Sequence, residues 1–282
     1  MTQQKSVFVN NIEFNNEKPL VIIAGPCAIE SREMVMHTAE KLVEISKKLD
    51  LPLIFKSSFD KANRTTVTGK RGVGQEEGLK ILAEVKEKFG IPVITDIHKP
   101  EHVNEVAEVV DMLQIPAFLC RQMDLTEAAA KTGKPVNVKK GQFLAPGNMK
   151  TIMDNYIHFG NQNSLQCERG TTFGHNGLVV DFAGFRAMKE NGHPIVMDAT
   201  HAAQIPGGNG TSSGGKREVV ADLAKAAIST GIAAVFLEIH PDVENAISDK
   251  ANQVPLEHAE DLLTQLKQLD DLIKSQKVLD IK

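Results

Sequence analysis

Eight short apolar segments of this 282-residue chain each end on side chains able to bind, ligate or exchange a proton. The ends are Cys27, Lys56, Asp96 with His98, Gln114, Lys139 with Lys140, Glu168 with Arg169, Asp198 with His201, and Glu238 with His240. Any one of these reads as a solvated loop charge. A series of them, each at the exit of an apolar run, points to one shared site. Lys56, Lys61, Arg64, Lys139 and Arg169 are cations in a chain of net charge −4, and such a set suits anionic substrates, phosphate first. The plainer reading pairs some of them with Asp60, Asp96 or Glu168. Cys27, His201, Glu238 and Asp249 are of the thiolate, imidazole and carboxylate types that hold zinc or ferrous iron. Their spacing contains no short Cys-x-x-Cys or His-x-x-x-His pair, and His98, His240, Cys120 and Cys167 compete for the role. Cys27 therefore has three readings at this point: nucleophile, metal ligand, or small buried residue. Gly207-Gly-Asn-Gly-Thr-Ser-Ser-Gly-Gly215 reads as a flexible loop and a lid, and it lacks the GxxxxGK[ST] pattern of a phosphate-cradling loop.

The elements that must position these residues follow a rhythm. Short β-rich runs recur at Leu20–Ala24, Pro52–Lys56, Pro92–Asp96, Asp111–Ile115, Pro135–Lys139, Ser164–Glu168, Pro194–Asp198 and Ala233–Glu238. The first breaks at Gly25-Pro26, presents Cys27 and passes through Glu30-Ser31 into a helical pattern. Residues 31–49 place Met34, Val35, Leu42, Ile45 and Leu49 near one face, and residues 76–89 do the same with Leu79, Leu82, Val85 and Phe89 before Gly90. Asp124-x-x-Glu127 has capping-box spacing at the head of an Ala-rich helix. Another helix covers 216–230, ending at Gly231, and Pro255 stands near the start of a last, long one. Eight strands alternating with helices predict a (β/α)8 TIM barrel, with a doubly wound sheet as the runner-up. Residues 6–14, two apolar pieces around Asn10-Asn11, predict a short N-terminal β-hairpin capping the barrel. No repeat, linker or low-complexity stretch divides the chain, so residues 1–282 are expected to form one barrel domain, with 1–19 as the cap.

Composition narrows the class. A hydrophobic fraction of 41% suffices for a large core, and the mild acidity argues against a nucleic-acid partner. No apolar run nears the ~20 residues that cross a bilayer, so no membrane partner is expected. The N-terminal residues lack a signal-peptide core, and three widely spaced cysteines make no disulfide framework. A reduced, cytoplasmic enzyme is the expectation.

Several segments together resemble the 3-deoxy-D-manno-octulosonate 8-phosphate (Kdo 8-phosphate) synthase family. They are Phe55-Lys-Ser-Ser-Phe-Asp-Lys-Ala-Asn-Arg64, Gln114-Ile-Pro-Ala-Phe-Leu119, Asn137-Val-Lys-Lys-Gly-Gln-Phe143, Glu168-Arg-Gly170 and Asp198-Ala-Thr-His201. The resemblance runs from residue 20 to about 260. The related heptulosonate 7-phosphate synthases have a segment like Lys-Pro-Arg-Thr where this chain has Lys61-Ala-Asn-Arg64.

The resemblance implies an aldol-type condensation of phosphoenolpyruvate with D-arabinose 5-phosphate that releases phosphate. The product feeds the Kdo sugar of lipopolysaccharide, and the enzyme is expected to be a homotetramer. It implies phosphoenolpyruvate binding by Lys61, Gln114, Lys139 and Arg169, with Lys56 close by. Sugar hydroxyls would fall to Asn63 and Asp96, and the sugar phosphate to Arg64 and Thr65, reaching in from a neighbouring subunit. Lys56, Lys61, Asp96 and His201 are the candidate catalytic groups. Cys27 together with Ser248-Asp249-x-x-Asn-Gln253 resembles the metal-dependent class, which makes Cys27, His201, Glu238 and Asp249 the ligands of a divalent ion. Zinc or ferrous iron is expected, with manganese or cobalt as substitutes. Thr65-Thr66 and Val67-Thr-Gly-Lys70 depart from the family's usual Ser-Ser and Ile-His-Ser-aromatic runs. The alternatives are a heptulosonate-type synthase using erythrose 4-phosphate, a metal-dependent aldolase or hydrolase, and a non-catalytic phosphate-binding barrel.

Overall fold

Strands of four to seven residues, each buried along its whole length, alternate with amphipathic helices through the chain. The computed structural model describes residues 2–64, 66–172, 177–208, 210, 213–279 and 281. The strands are β1 (Val21–Gly25), β2 (Leu53–Lys56), β3 (Val93–Asp96), β4 (Met112–Ile115), β5 (Val136–Lys139), β6 (Ser164–Glu168), β7 (Ile195–Asp198) and β8 (Ala234–His240). Each pairs in parallel with the next, and β8 pairs with β1, for instance Glu238 with Gly25, so the sheet closes. The expected (β/α)8 barrel is what the chain forms, and the doubly wound alternative is excluded by this closure. The strand ranges depart from the sequence expectation by a residue or two, mainly where β8 continues to His240.

The outer layer comprises α1 (Arg32–Leu49), α2 (Gln75–Phe89), α3 (Val103–Val109), α4 (Met123–Lys131), α5 (Met149–His158), α6 (Gly184–Lys189), α7 (Val220–Ile228) and α8 (Ala259–Ser275). Ser31 caps α1 by accepting from the Met34 amide at 3.2 Å, and Gly90 ends α2 with φ 65°. The capping box expected at Asp124 does not form. The first intrahelical bond runs from the Thr126 amide to the Gln122 carbonyl, so Asp124 already lies inside the first turn, where its charge favours the helix N-terminus.

Alternation along the strands sorts the core into two regions. Ile22, Leu53, Phe55, Val93, Leu113, Val136, Ile195, Val235 and Leu237 face the helices. Val21, Ile23, Ile54, Ile94, Met112, Leu165, Val196, Ala234 and Phe236 fill the barrel interior together with Val7, Val9 and Phe14 of the hairpin. The expected hairpin forms, Val7–Val9 with Ile12–Phe14, turning at Asn10 with φ 53°, and its apolar side chains pack at the end where the strands begin. Two residues beyond this apolar layer, the same inward positions become Lys56, Asp96, Gln114, Lys139, Asp198 and Glu238. Among the described residues no helix is long and apolar enough to cross a membrane.

Candidate active site at the barrel mouth

The polar layer forms the floor of a cavity of about 310 Å³, lined among others by Lys61, Asn63, Asp96, Lys139, Arg169, His201 and Asp249. Beneath that lining, Gln114 Nε2 donates to Asp96 Oδ1 at 2.5 Å, and Asn137 Nδ2 donates to Gln114 Oε1 at 2.9 Å. Ser58 Oγ donates to the other Asp96 oxygen. Gln114 is therefore built into the floor, fully buried, with its amide engaged at both ends. Gly25 permits this packing, because a Cβ there would lie 2.0 Å from the Lys56 carbonyl oxygen.

Each lysine of the layer has a carboxylate. Lys56 Nζ stands 3.4 Å from Glu238 Oε1 and 3.9 Å from Asp96 Oδ2, and Lys61 Nζ stands 3.7 and 4.0 Å from the same oxygens. Lys139 Nζ lies 2.5 Å from Asp198 Oδ2 and 3.9 Å from the centroid of the Phe236 ring. Two ammonium groups thus crowd the same two carboxylates. Burial and the Lys61 charge push Lys56 below its ordinary pKa. Burial also opposes the Lys61 charge, but Cys27, Glu238 and Asp96 outweigh it and hold Lys61 well above its ordinary value. Asp96 stays far below the carboxylate range because Lys56, Lys61 and Lys139 overcome its burial.

The arginines differ. Arg169 is 4% exposed and its pKa is lowered by burial, yet among the described residues Nε and Nη1 meet no acceptor. Its backbone is held by Glu168, whose Oε1 accepts from the amides of Arg169 and Gly170 at 2.8 and 2.6 Å. Glu168 is anchored in turn by the buried Lys140, 3.5 Å away. Arg64 donates Nη1 to Ser248 Oγ of its own chain at 2.9 Å, and its buried Nε and Nη2 meet no acceptor among the described residues. Buried guanidinium donors left open in this way form seats for an oxyanion. Thr65 lies outside the described residues.

Four donors meet on the side of the mouth formed by β1, β7 and β8. Ligand atoms of Cys27, Glu238 and Asp249 all lie within 4.8 Å of one another. His201 Nε2 approaches Glu238 Oε1 at 3.5 Å and Asp249 Oδ2 at 4.0 Å. Asp198 orients that ring, with Oδ2 2.8 Å from Nδ1 while Oδ1 accepts from the His201 amide at 2.9 Å and so caps the short turn Ala199–Ala202. Burial, Glu238 and Asp249 push the Cys27 thiol well above its ordinary pKa. A thiol so raised is a poor nucleophile, whereas a bound cation would displace its proton. Among the described residues the buried Glu238 Oε2 meets no donor, and Asp249 sits at φ 47°, a strained value for a residue with a side chain. The thiol, imidazole and two carboxylates fit a divalent metal ion. The competing residues are engaged elsewhere: His240 faces Glu30 at 3.2 Å, His98 packs edge-on against Phe59, Cys120 is buried beside Gly141, and Cys167 lies in the barrel interior.

Several contributors were given no role by the sequence. Ser58, Asn137 and Phe236 act through neighbours that only barrel closure supplies. Gln204, whose Nε2 donates to Asp249 Oδ1 at 2.5 Å, looked like any polar residue beside a glycine-rich loop. That loop is closed at its base by pairing of Gln204 and Ile205 with Gly215 and Gly214, and residues 209, 211 and 212 within it lie outside the described set.

Fold and site together define a (β/α)8-barrel enzyme whose mouth sets buried cations beside a metal-binding type of donor cluster. The chain belongs to the DAHP synthetase I family, whose model matches residues 2–275. Among its relatives are 2-dehydro-3-deoxyphosphooctonate aldolases from Pseudomonas fluorescens, 51% identical with 96% of this chain and 97% of the relative covered, and from Ralstonia pickettii, 53% identical with 94% and 95% covered. The protein of the same name from Granulibacter bethesdensis is 52% identical, with 97% of each chain covered. The resemblance drawn from the motifs is borne out.

Proposed function

We propose that this enzyme condenses phosphoenolpyruvate with D-arabinose 5-phosphate and water to give 3-deoxy-D-manno-octulosonate 8-phosphate and inorganic phosphate, the step that feeds Kdo into lipopolysaccharide. The relatives' shared name supports the octulosonate product at 51–53% identity, and nothing favours the heptulosonate alternative over it. One observation carries the reading at the level of chemistry. Arg169 is a buried guanidinium with open donors, lining the same cavity as Lys61 and Lys139.

On this reading Arg169, Lys139 and Lys61 hold phosphoenolpyruvate, with Gln114 and Lys56 fixing the floor beneath. Asn63 and Asp96 address the sugar hydroxyls, and Arg64 with Thr65 its phosphate. Two anions are thereby held together against their repulsion, which lowers the entropic cost of bringing C3 of phosphoenolpyruvate to the aldehyde. Attack leaves C2 electron-poor, water adds there, and the C–O bond to phosphate then breaks. Burial and the Lys61 charge lower the Lys56 pKa whereas Lys61 and Lys139 are raised, so of these three lysines Lys56 gives up a proton most readily. Cys27, His201, Glu238 and Asp249 hold a divalent ion, zinc or ferrous iron first and manganese or cobalt as substitutes, which supplies Lewis acidity or a template for the reacting oxygens.

The reading extends to one barrel domain over the whole chain, a homotetramer, and the cytoplasm, the last supported by three buried, unpaired cysteines. Phe118 and Phe143, 55% and 58% exposed on loops after β4 and β5, support assembly through the mouth side of the barrel. The deciding experiment measures phosphate release with each substrate alone and with both. Release only when both are present is expected. Comparable turnover with erythrose 4-phosphate would move the assignment to a heptulosonate synthase.

A further inference from the structure

Asp249 is tethered at both carboxylate oxygens to an arginine, each time through one neutral side chain. On the Oδ1 side, Gln204 Nε2 donates to Asp249 at 2.5 Å and Gln204 Oε1 accepts from Arg169 Nη2 at 3.4 Å. On the Oδ2 side, Ser248 Oγ donates to Asp249 at 3.0 Å and accepts from Arg64 Nη1 at 2.9 Å. The orientation of the Gln204 amide is dictated, since a guanidinium only donates and a carboxylate only accepts. Reversing the amide would break both bonds.

The backbone around Gln204 is tied to the same loop. Gln204 pairs with Gly215, and a Cβ on residue 215 would lie 1.4 Å from Asn252 Oδ1. Asn252 is 1% exposed and its side-chain amide meets no partner among the described residues, so it bears on this strand as packing. Asp249, Ser248 and Cys27 are further linked by Gln253, which accepts from the Cys27 amide at 3.0 Å and donates to the Ser248 carbonyl at 2.8 Å. A shift of Arg169 toward an anion therefore reaches Asp249 through one rigid amide.

We propose that Gln204 is a positioning residue that couples the anion seat at Arg169 to the carboxylate of Asp249, so that phosphoenolpyruvate and the metal ion strengthen each other's binding. This rests on the reading of Arg169 as a substrate contact and of Asp249 as a metal ligand. Such coupling is reciprocal.

The test uses the full-length metal-free protein titrated with cobalt(II), with and without saturating phosphoenolpyruvate, read by the cobalt d–d and thiolate charge-transfer bands. In the wild type, phosphoenolpyruvate should tighten cobalt by roughly 5- to 150-fold and shift the d–d band. Gln204→Leu should bind cobalt with a ratio within about twofold of unity and show no shift. Gln204→Asn, with the amide kept but one methylene too short to span the gap, should behave the same way and guards against loss of folding in the leucine variant. Ser248→Ala also removes a bond to Asp249 but does not touch Arg169, so it should keep the wild-type ratio. If both glutamine variants keep the ratio, or Ser248→Ala loses it equally, the inference is overturned. A wild type with cobalt bands but no response to phosphoenolpyruvate overturns it as well. A wild type lacking a thiolate–cobalt band instead overturns the underlying metal reading.

Discussion

Asp198→Asn separates the charge of this side chain from its shape. Asparagine keeps an oxygen for the caps on the His201 amide and Thr200 Oγ1, at 2.9 and 3.1 Å, so the turn Ala199–Ala202 should persist. The negative charge is lost from a fully buried position 2.5 Å from Lys139 Nζ, and Lys139 is only 6% exposed. Asp198 is held well below the carboxylate range, against its burial, by His201 and Lys139, so at neutral pH the wild type carries this charge in full. Removing one partner of a buried pair costs about 3–5 kcal/mol, because the other charge is left in a medium that solvates it poorly. At about 2–4 °C per kcal/mol, the melting temperature should fall by roughly 6–20 °C. Lys139→Met in the same background removes the orphaned ammonium and should recover most of the loss, giving a coupling of about 2 kcal/mol or more in a double-mutant cycle. The chain has no tryptophan, so unfolding is best followed by far-UV circular dichroism in urea and on heating. Metal affinity should fall roughly 10- to 100-fold as His201 loses its orienting carboxylate. The reasoning fails if Asp198→Asn melts within about 2 °C of the wild type, or if Lys139→Met adds to the loss instead of reversing it.

Chelation should abolish turnover, with zinc, ferrous iron, manganese or cobalt restoring it, and Cys27→Ser should lose tight metal binding measured by atomic absorption after dialysis. Full activity in metal-free protein would count against the metal site. His193, 1% exposed, offers a pH test remote from the mouth: its Nδ1 lies 2.9 Å from the Ser164 carbonyl, and its Nε2 faces Lys5 Nζ at 3.3 Å. Burial lowers its pKa, so its stability contribution is fully present above the unfolded value of 6.5 and is lost as pH falls through the lower folded value. Urea titrations should show His193→Gln losing a slope of up to about 1.4 kcal/mol per pH unit between the unfolded value and the lower folded one, and an unchanged slope would refute the assignment. Phe118→Ser with Phe143→Ser should reduce the mass measured by light scattering from that of an oligomer toward the 30.8 kDa of one chain. A mass equal to that of the wild type would place the interface elsewhere.

Much of the architecture was legible because it is written locally. Proline and glycine bound the strands, helices end at residues such as Gly90, and Asn10 turns the hairpin. The identity of the strand-end residues was legible for the same reason. What each one touches was not. The strands are buried on both faces, so a segment such as Leu53-Ile-Phe-Lys56 carries no alternation to say which residues point inward. Only barrel closure decides that Lys56 and Lys61 share Asp96 with Glu238, while Arg169 and Arg64 at the mouth keep donors that meet no acceptor among the described residues. The four metal-type donors come from positions 27, 201, 238 and 249, and no spacing rule joins residues so far apart in the chain. The misread capping box shows the converse error, a local signal overruled when tertiary packing starts the helix two residues earlier. Residue chemistry and element rhythm were thus determined by the sequence itself, through short-range sterics and periodicity. The pairing of charges, the dry environment that shifts their pKa values and the relay through Gln204 were decided by the tertiary structure, because each depends on which side chains the closed sheet brings within a few ångströms.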